Sequence, residues 1–519
     1  MSTDATTLPG DLSLCHQIIA QQHEQLVSSQ RKIEQLEHRL DLLLRRIYGP
    51  RSERLFDPNQ LPLFEVSGQD PPAAVVASSP GDAQPADQCV TKRPGHGRRQ
   101  FPQSLERRRI VLDIPEAEKT CPCGKTRRVI GEVVTERLGF DPARFYVNQY
   151  VQLKYACACE QSGVLTAEKP IQPIEKGNAE PELVAFTAVS RFDDHSPYYR
   201  QENGQFRRAG VEIARSTQCD WMRQIAELCR PLYDLMHTMV LRSKLLGTDD
   251  TPVPVLVPGR GKTQEARMWA YRGDHDYPFN VFAFTMTRQR AGPLKFLRRD
   301  EGSKIDQGFR GYLQADAYAG YDVLFRLGGI AEVGCWAHAR RKFFEAKETD
   351  LARGMEALAR IKLLYEVEEA GKELSSVERL ALRQERAAPL LASLKSWLDE
   401  HYAKVLPRSA LGEAMAYTLS NWAALTRYAT DGDLPIDNNA VERMLKIIGL
   451  GRKNWMFAGS ERGGQTAAVL FTIISSAKRH RLNTWAYLRD VLWRLADLKP
   501  GELEQLLPDR WRDSRAPAT

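Results

Sequence analysis

The sequence predicts a multidomain α/β chain, on three observations. Its 519 residues exceed what one hydrophobic core organises, so three or more units are expected. A heptad repeat opens the chain, and strand-like runs dominate from residue 245. A long stretch of helical periodicity then interrupts those runs between about 340 and 430.

Composition narrows the class. Hydrophobic residues make up 42% and charged residues 27%, as in folded chains. No apolar run reaches the roughly 18 residues that span a bilayer, so no membrane association is expected. The opening MSTDATTLPGDLSL lacks the basic-then-apolar order of a signal peptide, which predicts a cytoplasmic protein. Nine cysteines, an odd number scattered along the chain, argue against a disulfide framework. A net charge of +7 permits nucleic-acid binding without demanding it.

Residues 1–50 predict a coiled-coil helix. Leu12, Ile19, Leu26, Ile33, Leu40 and Ile47 recur every seven residues, with Cys15, Gln22, Ser29, Leu36 and Leu43 at the companion positions. The seam is polar in its first half and apolar in its second. Dimerisation is the functional reading, and an amphipathic helix folded back on its own chain is the plainer one. Gly49-Pro50 ends it.

Residues 51–115 predict a flexible basic linker. DPPAAVVASSPGDAQPAD has too few large apolar side chains to fold alone, and KRPGHGRRQFPQSLERRR sets seven basic residues against Glu106. Those cations either follow a phosphate track or stay solvated.

Residues 116–172 predict a small zinc-ribbon-like β module. CPCG brings Cys121 and Cys123, and CAC brings Cys157 and Cys159, with strand patterning and an Asp141-Pro142 turn between them. Both pairs are C-x-C where ribbons use C-x₂-C, so a metal-free module with buried cysteines competes with zinc.

Residues 173–243 predict helices. Gly210 separates PYYRQENGQFRRA from GVEIARSTQCDWMRQIAELCRPLYDLM, and Ser216 or Thr217 suits an N-cap. With Arg207, Arg208 and Arg215 near the turn, the unit reads as a helix-turn-helix or a plain helical hairpin.

Residues 244–463 carry the chemistry. LLGTDDTPVPVLV, ARMWAYRGD and FNVFAFTMT read as three strands, followed by a helix near AGPLKFLRRD and a strand at GYLQADAY. A helix from Tyr321 to Leu327 and a strand IAEVGCWAHA complete a β-β-β-α-β-α-β order, that of ribonuclease-H-like domains by analogy. Pro252 and Pro254 remove ladder donors, so the tail of the first strand must be an edge or leave the sheet. The helical stretch about 345–430 is an insertion, and helices resume over 464–519.

Asp249, Asp316 and Glu442 sit on the first strand, after the fourth strand and in the first turn of the helix DNNAVERMLK. Converged, they make an oxygen-only cage suited to Mg²⁺, and in a basic chain this suggests phosphodiester chemistry. Glu442 also fits a capping box with Asn439 as N-cap, a structural role with no chemistry.

LLGTDDTPVPVL, GYLQADAYAGY, GCWAHARRKF, LPIDNNAVERMLK and GRKNWMFAGSERGG, in this order, resemble insertion-sequence-66-type transposases with a DDE catalytic domain. RRIYGPRSERL, DDHSPYYRQE and TAAVLFTIISSAKRHRLNTWAYLRDVL extend the resemblance over nearly the whole chain. It implies Asp249, Asp316 and Glu442 as a metal-binding triad. The chain departs from the family pattern in two places: Asp250 follows Asp249 where Glu is usual, and the cysteine pairs are one residue short.

The implied activity is that of a DNA transposase that binds terminal inverted repeats, cleaves a strand with water and joins the 3′-OH to target DNA. Two Mg²⁺ ions (Mn²⁺ being an alternative) about 3.5–4 Å apart would offset the carboxylate repulsion and serve the attacking and leaving oxygens. His338, Arg341, Lys342, Arg452 and Lys453 are expected to position DNA, with Trp455 stacking on an unpaired base. Expected partners are DNA, a second copy of the chain and accessory proteins from the same element, with a nucleoid-associated location. The alternatives are a ribonuclease-H-like nuclease that cuts without joining and a DNA-binding regulator that has lost catalysis.

Overall fold

The computed structural model describes residues 101–512, except 102, 104, 123, 142–143, 157–163, 175–176, 300–307 and 500. The predicted coiled coil over 1–50 and the linker as far as residue 100 lie outside the described residues. No described helix is long and apolar enough to cross a membrane.

The first sheet is built from β1 (Glu106–Leu112), β2 (Arg128–Asp141), β3 (Arg144–Ala156) and β4 (Leu165–Thr166). β2 and β3 form an antiparallel hairpin in which Asp141 pairs with Arg144, and β4 pairs with β3. The expectation of a linker reaching residue 115 fails here. Residues Glu106–Leu112 form a strand parallel to β3. The cause lies across the sheet: Arg107 pairs with Glu136 at 3.0 Å and Arg109 with Glu132 at 2.7 Å, while Arg108 covers the Tyr146 ring. Charges that look unmatched along the chain are matched across β3 by the next strand but one, β2.

Helices α1 (Pro181–Phe192), α2 (Arg215–Leu228) and α3 (Arg230–Val240) follow. α2 starts two or three residues earlier than expected, with Ala214 as N-cap and no side-chain cap, so Ser216 and Thr217 lie inside the helix. Between α1 and α2, a short helical turn at Tyr198–Arg200 continues as a π-helix over Gln201–Phe206.

The second sheet has five strands: β5 (Leu245–Leu256), β6 (Thr263–Arg272), β7 (Asn280–Thr285), β8 (Gly311–Gln314) and β9 (Ile330–Val333). Their order across the sheet is β7-β6-β5-β8-β9, antiparallel among the first three and parallel from β5 to β9. β6 is an interior strand buried on both faces, with Met268, Trp269, Ala270 and Tyr271 almost wholly shielded. β5 touches β8 only over Leu245–Gly247, so its Pro252–Pro254 tail is an edge, as the missing donors require. Residue 458 reaches back to that edge: Ala458 N donates to Pro254 O at 2.8 Å and Leu256 N to Ala458 O at 2.9 Å.

Crossovers bring in α4 (Ala291–Phe296) and α5 (Asp322–Arg326). β9 ends at Val333, six residues short of the run that alternation suggested. The chain turns at Gly334 into α6 (Trp336–Ala346), because Trp336 is drawn inward, its Nε1 donating to Leu425 O at 2.8 Å. The predicted insertion is helical: α7 (Leu351–Ala370), α8 (Ala388–Tyr402) and α9 (Ala410–Ser420), with shorter pieces between. Buried Arg383 braces it, pairing with Glu368 at 2.6 Å and donating to Tyr428 O and Asp431 O.

Then come α10 (Asn439–Trp455), α11 (Glu461–Arg479) and α12 (Thr484–Ala496). α10 buries Val441, Met444, Leu445, Ile448 and Gly451, a stripe at helical spacing. α11 covers edge strand β7: Phe282 N donates to Thr472 Oγ1 at 2.9 Å and Asn280 N to Ser476 Oγ at 3.0 Å. Exposed strand donors are thereby satisfied within the chain. One core runs from β2 and β3 through the helices and second sheet to α12.

Candidate active site

Three features bring the predicted acids to one end of the second sheet. Asp249 lies on β5, paired with Ala270 of β6. Asp316 lies two residues beyond the end of β8, the parallel neighbour of β5. Glu442 enters from far along the chain, because the segment before α10 is pinned beside β8. Gln314 Nε2 donates to Pro435 O at 2.8 Å, Trp336 N to Ile436 O at 3.1 Å and Tyr365 OH to Asp437 Oδ2 at 3.0 Å.

Gly247 and Asn438 set the final approach. A Cβ on Gly247 would sit 2.8 Å from Val441 Cγ2 and 3.3 Å from Asn438 Oδ1, so only glycine lets α10 pack this close to β5. Asn438, 1% exposed, donates from Nδ2 to Thr248 O at 2.9 Å. It is also the N-cap of α10, without a side-chain cap, which puts Glu442 fourth in the helix. The expected Asn439–Glu442 capping box is therefore absent, and the Glu442 carboxylate is not spent on the helix terminus.

The carboxylates feel one another. Burial, then the charges of Asp316, Asp250 and Glu442, push the Asp249 carboxyl up to about 7, against the hydrogen bond it accepts from Asp250 N. Burial also raises Asp316, and the nearby Arg288 guanidinium, then His338, pull it back. Asp316 Oδ1 and Glu442 Oε1 are buried and have no hydrogen-bond partner. Glu442 has His338 Nε2 at 3.7 Å and Arg341 Nη2 at 3.9 Å, near enough for charge and too far for hydrogen bonds.

Asp250 is differently placed. Its side chain is 1% exposed and clamped between Arg267 at 3.1 Å and Arg288 at 2.9 Å. Arg288 also reaches Asp316 at 3.4 Å and lies over the Tyr318 ring. Two guanidinium groups already satisfy Asp250.

His338, Arg341 and Lys342 stand on helix α6, where a strand end was expected. Cys335 precedes this helix, and its Sγ accepts from Asn438 N at 3.3 Å. Cys335, His338 and Glu442 offer ligand atoms within 4.8 Å of one another. Lys342 lies over the Tyr417 ring. Sequence reasoning missed Cys335, Asn438 and Arg288. The C-x-x-H spacing of Cys335 and His338 was a readable signal, whereas nothing local marks Arg288.

The remaining predicted contacts are spread out. Arg452 points inward, donating to Pro252 O at 2.7 Å and reaching Thr251 Oγ1 at 3.3 Å. Lys453 is exposed, and Trp455 packs beneath Arg191, 5.0 Å from its ring centre. Arg207, Arg208 and Arg215 are exposed beside the π-helix, with Arg215 paired to Glu202 at 2.9 Å. These three are not gathered at the acids.

The carboxylate oxygens here are of the kind a hard divalent cation takes, although the ligand atoms within 4.8 Å of one another among the described residues are those of Cys335, His338 and Glu442. Buried carboxylate oxygens without partners, and a carboxyl forced toward its neutral form by its neighbours, are what such an ion relieves. In the small β module, Cys121 is buried in a tight turn where Gly124 N donates to Cys121 O at 2.7 Å. Cys123, Cys157 and Cys159 lie outside the described residues.

Comparison with known proteins points to one family. Residues 176–466 match the family described as "Transposase IS66 family". Residues 118–160 match the "zinc-finger binding domain of transposase IS66", which supports zinc in the module holding Cys121. Residues 35–110 match "Transposase C of IS166 homeodomain". Among relatives, the uncharacterized protein y4hP of Sinorhizobium fredii (strain NBRC 101917 / NGR234) is 33% identical, over 93% of this chain and 89% of its own length. The uncharacterized protein y4jD of the same organism is 32% identical, over 96% of this chain and 98% of its own. A DNA-binding transposase domain spanning both the helices and the second sheet, a zinc-finger domain ahead of it and full-length relatives together show that the chain belongs to the IS66 transposase family.

Proposed function

We propose that this chain cleaves DNA strands at the ends of an insertion sequence and joins the freed 3′-OH to target DNA, with Asp249, Asp316 and Glu442 as its metal-binding acids. One observation carries this reading: three carboxylates from distant parts of the chain share one electrostatic field, and two of their oxygens are buried without partners. The β7-β6-β5-β8-β9 order supports a ribonuclease-H-like catalytic domain, in which acids from the two central parallel strands meet.

Divalent ions held by these acids would supply charge stabilisation for in-line displacement at phosphorus, with Mg²⁺ the hard cation that oxygen ligands favour. The protein's part is to hold the ligands in place. Asn438 fixes the start of α10 to β5, and Cys335 accepts from the same residue's backbone. Arg288 holds Asp316 from one side and is itself held by Asp250, so Asp250 positions and Asp249 binds. His338 lies beside Glu442 and pulls on Asp316, ready to meet a phosphate or hold a proton there. Arg341, Lys342 and Lys453 supply cations for the backbone of a bound strand.

The test is cleavage and joining on labelled oligonucleotides bearing the element's ends, with and without Mg²⁺. Asp316→Asn should lose both steps and keep DNA binding. Cleavage by this variant at the wild-type rate refutes the triad, and cleavage without joining by the wild type favours a nuclease.

A further inference from the structure

A cavity of about 350 Å³ lies away from the acids. Its walls come from α1, α2, the tails of β5 and β6, the end of α10 and the start of α11. Phe192, Met222, Val253, Met268 and Phe471 make it largely apolar. Arg191 lines it as well. Its guanidinium lies 4.9 Å from the Tyr198 ring centre and 5.0 Å from that of Trp455.

Arg191 has no carboxylate partner among the described residues; its polar neighbours are Tyr198, to which it is hydrogen-bonded, and the Cys219 thiol, and burial keeps both of these neutral. Burial holds it below the ordinary arginine range. The other two lining arginines differ: Arg223 pairs with Asp220 and Glu227, and Arg462 with Glu227. A half-buried cation without a counter-charge gains when an anion arrives from outside. The cavity also joins the proposed active site through shared elements. Val253 follows Asp249 by about 13 Å along β5, and Trp455 ends the helix that begins near Glu442.

We propose that this cavity is a nucleotide pocket, taking one unpaired nucleotide of a bound DNA strand with its base against the apolar wall and a backbone phosphate on Arg191. An apolar slot of this size with one unmatched guanidinium suits a base and its phosphate together. The inference rests on the reading of the chain as a DNA-processing enzyme.

The test is fluorescence anisotropy of a labelled twelve-nucleotide single strand with the full-length protein, in buffer without divalent cations. A matching abasic strand is the comparator. Wild type should prefer the base-bearing strand. Arg191→Met should weaken its binding about ten-fold or more, as loss of a charged hydrogen bond does, while the thermal midpoint stays level or rises. Arg191→Lys should keep most of the affinity, and Met222→Trp, which fills the cavity, should erase the preference for bases. Equal binding of the two strands by wild type overturns the proposal, as does unchanged binding by Arg191→Met. A thermal midpoint of Arg191→Met well below wild type also overturns it, because the guanidinium would then be a structural brace. Binding of octanoate at the cavity without any effect of Arg191→Met on the strand would assign it to acyl carboxylates instead. Cleavage plays no part here, so a chain that binds this way yet never cuts DNA leaves the pocket standing and sinks the catalytic reading.

Discussion

Asp316→Asn should make the metal-free protein more stable while abolishing its activity. Asparagine keeps the shape of aspartate and removes one charge from a crowded group. The Asp249 carboxyl is pushed from 3.8 to about 7, so holding it ionised near neutral pH opposes folding by about 4 kcal/mol. Burial is the largest part of that cost and the Asp316 charge is next. Removing Asp316 should return on the order of 1 kcal/mol, about 2–4 °C in thermal midpoint for a domain of this size. The loss on the other side is small, because Arg288 keeps its 2.9 Å pair with Asp250. Calorimetry without divalent ions measures the rise. Adding Mg²⁺ should stabilise wild type, by about 2.7 kcal/mol at a hundred times its dissociation constant, and should leave Asp316→Asn almost unmoved. A variant that melts lower than wild type without metal, or gains as much from Mg²⁺, refutes the idea that these carboxylates repel one another around a shared ion site.

Three other outcomes follow from the same geometry. Mg²⁺ stabilisation of wild type should grow between pH 6 and 8, because Asp249 must lose a proton held up to about 7 before it can bind an ion; melting curves across that range would show a flat response if the acid were not a ligand. Asp250→Asn should act opposite to Asp316→Asn, costing about 1–3 kcal/mol because it takes a buried carboxylate from Arg267 and Arg288, which keep only Glu265 and Asp316; a denaturant midpoint equal to wild type would show that the clamp is not formed. Asn438→Ala should cost about 1–3 kcal/mol by orphaning the buried Thr248 carbonyl, and cleavage should fall even at temperatures where the variant is folded. Full activity in folded Asn438→Ala would show that the α10–β5 tether does not position Glu442.

The sequence by itself determined the strand and helix order from Leu245 to Trp455, because alternation and helical spacing are local properties that burial enforces directly. It also singled out Asp249, Asp316 and Glu442, and the proline-imposed edge of β5. What it could not determine were features settled by residues distant in the chain. The arginines at 107–109 looked like a solvated linker until Glu132 and Glu136 came alongside. A strand seemed to continue through Trp336 until Leu425 and Ile436 offered that side chain and its backbone a buried place in a helix. The capping box at Glu442 looked sound locally, yet Asn438 takes the cap position because its side chain is needed at Thr248. Tertiary structure alone also decided which of two adjacent aspartates is neutralised: Asp250 meets two guanidinium groups, and Asp249 meets other carboxylates. Periodicity reports which face of an element is buried, whereas the partner of a charge or a hydrogen bond is fixed only when separate segments pack together.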